Sequence, residues 1–164
     1  MSRWVVDTSP LIFLAKLDRL DLLRKSADEI LVPAAVIQEI RAYPDDASQK
    51  VEDALRSWLR EEKVEARRIV DVLLADLDLG EAEVIALARE RSAERIVMDD
   101  LDGRRFARRL ALEPVGTLGL LLAAKLRGEL GSLRGEIERL EQEGFRISPA
   151  LVEAALRTAG EASE

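Results

Sequence analysis

Short apolar runs and longer stretches of helical periodicity alternate along the chain. "WVVD" (4–7) is an apolar run closed by an acid and by the Ser9-Pro10 turn signal, the pattern of a buried strand. Leu11, Leu14, Leu17, Leu20 and Leu23 then recur every three residues and predict a helix. "EILVP" (29–33) predicts a second strand ended by Pro33. "AAVIQEIRAY" predicts a helix with Val36, Ile37 and Ile40 on one face, stopped by Pro44. Helical spacing continues through Val51, Ala54, Leu55, Trp58 and Leu59, with a weak strand expected around "KVEARRIV".

A helix opened by Gly80 follows, with acids in its first turn where the dipole favours them. "RIVMDD" predicts a strand, residues 103–110 an arginine-rich helix, "EPVGT" a fifth short strand and "LGLLLAAKLRGEL" a helix. The tail predicts two more helices split at 144–149, with Ser148 and Pro149 as cap and first-turn residues. Strands alternating with helices imply parallel βαβ units. The expected fold is α/β: a three-layer α/β/α domain around a central parallel sheet of four to five strands. No repeat or linker divides the chain, so residues 1–164 are expected to form one domain, the tail from about residue 157 being a candidate for disorder. Ligands of such sheets bind at the carboxyl ends of the strands. Asp7 and the Asp99-Asp100 pair fall at two such ends.

Composition narrows the chemistry. The chain has no cysteine and no histidine, which removes thiolate sites, His general bases and most transition-metal sites. Catalysis would rest on carboxylates, hydroxyls, Lys or Arg, and carboxylates favour hard cations such as Mg2+ or Mn2+. The first apolar run follows Arg3 directly and is broken by Asp7, unlike a signal peptide. The longest later run, "LGLLLAA" at 118–124, is too short to span a bilayer. The cytoplasm is therefore the expected location, with no membrane partner. A net charge of −7 argues against a polyanionic partner, but the charge is uneven. Between Arg89 and Arg109 seven arginines stand against five acids, leaving that stretch +2 and the remainder −9.

Metal-assisted phosphodiester cleavage needs carboxylates converging in one crevice and requires no histidine. Neighbouring residues of a strand point to opposite faces, so the ligands must come from separate elements. Asp7, Glu39, Glu83 and Asp100 meet that demand. Acids fill 32 of 164 positions, so Glu39 and Glu83 taken singly read as ordinary helix acids. Asp7 and the Asp99-Asp100 pair stand at the ends of core strands, where an unpaired acid is costly, and read as functional.

The segments "VVDTSPLIFLAKLDRLDLL", "LVPAAVIQEI", "LGEAEVIALA", "VMDDLDGRRFARRL" and "VGTLGLLLAAKLRG" resemble, in order and spacing, those of PIN-domain proteins. They look closest to the branch related to VapC-type toxins. The resemblance implies that Asp7, Glu39, Glu83 and Asp100 are catalytic and bind Mg2+ or Mn2+, with Asp99 as a helper. Glu81 competes with Glu83, and Asp99 with Asp100, Asp102 being a third choice. Where the family commonly carries Thr-x-Asp, this chain has Met98-Asp99-Asp100. Ser9 matches the small hydroxyl that supports the first acid, or simply caps the helix. The implied activity is metal-dependent endonucleolytic cleavage of single-stranded RNA, as the toxin of a toxin–antitoxin pair. An antitoxin protein and a second copy of the chain are the implied partners.

Arg104, Arg105, Arg108 and Arg109 form one basic stripe beginning just after Asp100. The first three of those named, Arg104, Arg105 and Arg108, are expected to meet RNA phosphates. The alternative is a solvated face paired with Asp102 and Glu113. The rival to the whole enzyme reading is a catalytically inactive PIN-fold module that binds RNA or protein. A phosphohydrolase acting through an aspartyl phosphate is disfavoured, because no second acid lies two residues beyond Asp7.

Overall fold

A computed structural model describes residues 1–161; the end of the tail, 162–164, lies outside the described residues. Five short strands, β1 (Arg3–Val6), β2 (Glu29–Pro33), β3 (Leu59–Glu62), β4 (Arg95–Val97) and β5 (Glu113–Val115), pair in parallel in the order β3-β2-β1-β4-β5. Central β1 is apolar on both faces, with Val5 and Val6 wholly buried, as a strand covered by helices on both sides requires. Val5 pairs with Leu31 on one side and Ile96 on the other. The chain runs outward from β1 to β2 and β3, then returns across β1 to β4 and β5. The order therefore reverses between β1 and β4, where an open α/β sheet forms its crevice.

Helices flank both faces and complete the three-layer α/β/α fold. Between β1 and β2 run α1 (Thr8–Lys16) and α2 (Asp21–Arg24); between β2 and β3, α3 (Ala34–Arg41) and α4 (Asp46–Leu55). Helices α5 (Arg67–Leu73) and α6 (Leu79–Glu90) lead to β4, and α7 (Leu101–Arg109) to β5. The chain ends in α8 (Thr117–Leu126), α9 (Leu133–Gln142) and α10 (Pro149–Thr158). Helix α6 is apolar nearly all round because it packs on β1 and β2 while α3 and α5 cover its other sides. Helix α9 is fixed by a buried acid: Glu136 accepts from Arg19 at 2.6 Å, and Arg139 reaches the carbonyl of Leu17. Among the described residues no helix is long and apolar enough to cross a membrane.

Four local expectations are corrected. The leucine repeat from Leu11 to Leu23 is not one helix. It breaks after Leu17, where Asp18 takes φ 58°, and resumes in α2. The helix through Val51 stops at Leu55, and Leu59, read as its last apolar position, begins β3 beside Ile30. The weak strand expected around "KVEARRIV" is displaced, since that segment leads into α5 while the strand lies four residues earlier. Residues 157 and 158 complete α10 rather than a disordered tail, with Ser148 as N-cap and Pro149 in the first turn.

Candidate active site

Asp7 is placed by the sheet and then by a helix. Its backbone N–H donates to the Val97 carbonyl at 2.9 Å, carrying the β1–β4 pairing one residue past the strand. Its side chain N-caps α1, accepting from the Thr8 N–H at 2.8 Å. The next two residues each hold another acid. The Thr8 hydroxyl donates to Glu39 Oε2 at 3.0 Å, and the Ser9 hydroxyl to Asp99 Oδ2 at 2.9 Å. "DTS" thus ties the exit of β1 to α3 on one flank and to β4 on the other. Ser9 neither supports the first acid nor caps the helix, which Asp7 does itself.

Asp99 and Asp100, adjacent in sequence, do different work. Both Asp99 oxygens are engaged: Oδ1 by the Thr117 N–H at 2.7 Å, Oδ2 by the Thr117 hydroxyl at 2.8 Å and by Ser9. Ser9, and Thr117 from the start of α8, thus give hydroxyl support to Asp99, the middle residue of Met98-Asp99-Asp100, rather than to Asp100. Asp100 N-caps α7 through the Gly103 N–H at 2.8 Å and stands beside Glu81.

Helix α6 brings acids by its N-terminus. Asp78 and Glu81 form a reciprocal capping box, Asp78 Oδ1 accepting from the Glu81 N–H at 2.8 Å and Glu81 Oε1 from the Asp78 N–H at 3.2 Å. One crevice of about 600 Å3 is lined by Asp7, Glu39, Asp78, Glu81, Asp99 and Asp100, six acids from four elements. Glu83, the preferred residue from this helix, is not among them. It is buried on another side of α6, accepting from the Ala35 N–H at 3.0 Å and from Arg67 at 2.8 Å. Two residues along a helix are about 200° of rotation, so Glu81 and Glu83 cannot share a crevice.

The acids in this crevice lack cationic partners: among the described residues none of the six forms an ion pair with Lys or Arg. Their electrostatics follow. Burial, and then Glu39, Asp78 and Asp99 nearby, push the Asp7 carboxyl up to about 7. Burial, with Asp78 and Asp100 close by, pushes Glu81 up to about 8, and burial likewise raises Glu39. An uncompensated set of hard oxygen donors without histidine or thiolate suits Mg2+ or Mn2+ by its chemistry. Among the described residues, no three acids stand close enough, as their side chains lie, to enclose an ion.

The basic stripe divides. Arg104 lies at the edge of the crevice beside Gly116, close to Asp99. Arg105 pairs with Asp102 at 3.6 Å, as a solvated face would. Arg108 is exposed, and Glu113 pairs with Arg95 instead of the stripe. Four contributors escaped the sequence reading: Thr8, Asp78, Thr117 and Arg146, which lines the crevice. Only Asp78 left a clear signal, the Asp-x-x-Glu of a capping box.

A parallel sheet with acids gathered at its switch point defines a three-layer α/β/α protein of nuclease-type architecture. A PIN-domain family model matches residues 3–161, and the chain belongs to the PIN-domain family. No curated protein matches the chain.

Proposed function

We propose that this protein is a metal-dependent endoribonuclease acting on single-stranded RNA. The observation that carries the reading is the crevice itself: six carboxylates from four elements, none paired with a cation among the described residues. Asp7, Glu39, Glu81 and Asp100 would hold Mg2+ or Mn2+, with Asp99 behind them. Glu81 here takes the place first given to Glu83, which is committed to Arg67 and Ala35. When bound, a divalent ion supplies a Lewis acid and a water of lowered pKa.

The chain's own groups prepare the site. Thr8 orients Glu39, Ser9 and Thr117 fix Asp99, and the α7 N-terminus fixes Asp100. Arg104 and Arg146 stand where a phosphodiester backbone entering the crevice needs compensation. Arg105 and Arg108 extend that basic face outward. The likeness to VapC-type sequences adds a toxin role in the cytoplasm, with a protein antitoxin and a second copy of the chain as partners.

The rival is a PIN-fold module that binds RNA or protein without cleaving it. Incubation of end-labelled single-stranded RNA with Mn2+, Mg2+ or EDTA separates the two. The enzyme reading expects cleavage with either ion, none in EDTA, and loss in Asp7→Asn and Glu81→Gln. Cleavage that persists in Asp7→Asn, or RNA binding without cleavage under any ion, would overturn it.

A further inference from the structure

Beside the acidic crevice opens a second hollow of about 550 Å3, between the ends of β4 and β5, the first turns of α8 and one face of α10. Asp99, Phe145 and Arg146 line both cavities, so the two adjoin. The walls of the second are mainly apolar, with Ser148 and Thr158 among them, and two of its leucines face solvent: Leu101 is 65% exposed and Leu151 53%. Phe145, held edge-on by Phe13 at 4.9 Å between centroids, forms the partition.

Two arginines guard the seam. Gly116 makes room for one of them: a Cβ there would stand 3.1 Å from Arg104 Nη1 and 2.9 Å from Asp99 Oδ1. Arg104 Nε is buried without a hydrogen-bond partner. Among the described residues neither Arg104 nor Arg146 forms an ion pair. In a chain of net charge −7, two uncommitted guanidinium groups beside an acidic crevice are placed to meet an anionic backbone.

We infer that this hollow receives one unstacked base of a single-stranded nucleic acid, beside the nucleotide whose phosphate lies at the acidic crevice. Arg104 and Arg146 hold the backbone between the two. The inference rests on the nuclease reading for the class of ligand and adds how that ligand is recognised. A base in a duplex is not free to enter, so the hollow selects unpaired strands. Apolar walls and one phenyl ring give little hydrogen-bond readout, so the pocket tolerates different bases. A planar base fits within a hollow of about 550 Å3, and the two arginines at its edge favour an anionic strand as the occupant.

The test is abasic scanning by fluorescence anisotropy. A labelled octaribonucleotide, and copies abasic at one position each, are titrated with the wild-type protein in EDTA at low salt. One position is expected to lose about tenfold in affinity, within the range for a single stacked base, while the others lose less than about twofold. The exposed Ala154, on the rim in α10, is then replaced by a ring that fills the hollow. Ala154→Trp is expected to weaken the intact oligonucleotide to the abasic level and to erase the positional difference. A flat profile, no binding, or a positional effect that survives Ala154→Trp overturns the inference; the last outcome would leave the hollow to a protein partner. Because binding is read without metal, failure to cleave RNA when Mn2+ is restored would sink the nuclease reading alone.

Discussion

The Ser9 hydroxyl donates to Asp99 across 90 residues of sequence, at 2.9 Å, and so locks the exit of β1 to the exit of β4. Thr117 makes the second hydroxyl contact to the same oxygen. With its two oxygens held by three donors, Asp99 is the most firmly fixed acid of the crevice. Ser9→Ala and Thr117→Val each remove one hydrogen bond and are expected to cost about 1 kcal/mol of stability. Together they leave Asp99 with the Thr117 N–H alone, and cleavage should fall by more than the product of the single effects, because the two donors share one acceptor. Urea melts and rates of the two variants and their double give the cycle. Strict additivity in rate would remove Asp99 from its positioning role.

Glu81 and Glu83 make opposite predictions. Glu83→Ala strands the buried Ala35 N–H and frees Arg67, and should cost about 2–4 kcal/mol. The folded fraction of that variant should cleave RNA at nearly the wild-type rate. Glu81→Gln, which removes a carboxyl held well above its ordinary range, should keep or raise the melting temperature and reduce cleavage on the order of 100-fold, as loss of a group serving a metal site does. If Glu83→Gln, which keeps the acceptor to Ala35, silences the enzyme while Glu81→Gln does not, the assignment of roles is reversed.

The difficulty of choosing between those two residues shows where the sequence is readable. Asp7 and Asp99-Asp100 stood out because an acid ending a core strand has a desolvation cost to explain, and the structure places them in the crevice. Glu39 was legible only through the family likeness. Nothing in "GEAEV" says which side of α6 faces the crevice, since that depends on how α3 and α5 pack around it. The cap at Asp78 would have helped: Asp-Leu-Gly-Glu marks Glu81 as the third residue of the helix, whose side chain turns back toward the N-terminus. β3 was missed for a related reason. Its Arg60, Glu61 and Glu62 lie on an edge strand, where no apolar alternation is demanded, and Leu59 happened to continue the helical spacing before it. The parallel sheet followed from alternation of strand and helix; its order and the reversal at β1–β4 did not, because alternation alone does not say on which side of β1 each later strand pairs.

Gly80 is required by its neighbour rather than by its backbone. A Cβ at that position would collide with the Glu39 carboxylate. Alanine inside a helix gains roughly 1 kcal/mol over glycine, so Gly80→Ala should fold at least as well as the wild type. The cost falls on Glu39, an exposed side chain able to swing aside and leave the Thr8 hydroxyl. Expected, therefore, is an unchanged or raised melting temperature with weaker Mn2+ affinity and slower cleavage. An alanine variant with full activity would show that Glu39 does its work from more than one position.

Asp7 should make stability depend on pH in a direction opposite to that of a salt-bridged acid. In the folded protein its carboxyl holds a proton until about pH 7, whereas the unfolded chain releases it near 3.8. Between those values the folded state binds more protons, so this group's contribution is fully present below about pH 4 and is lost as pH rises through 7. Glu39 and Glu81, also raised, act in the same sense. Asparagine keeps an oxygen to accept from the Thr8 N–H but carries no charge. In EDTA at pH 8, Asp7→Asn should be more stable than the wild type by about 1–3 kcal/mol, or several degrees of melting temperature. At pH 4 the two should converge. Millimolar Mn2+ should raise the wild-type melting temperature at pH 8, where its carboxylates are free to bind, and leave Asp7→Asn nearly unmoved. Melting curves from pH 4 to 8, with and without the ion, decide it. Parallel pH profiles for the two proteins would mean that Asp7 is not held as a desolvated acid, and an equal response to Mn2+ would place the ion elsewhere.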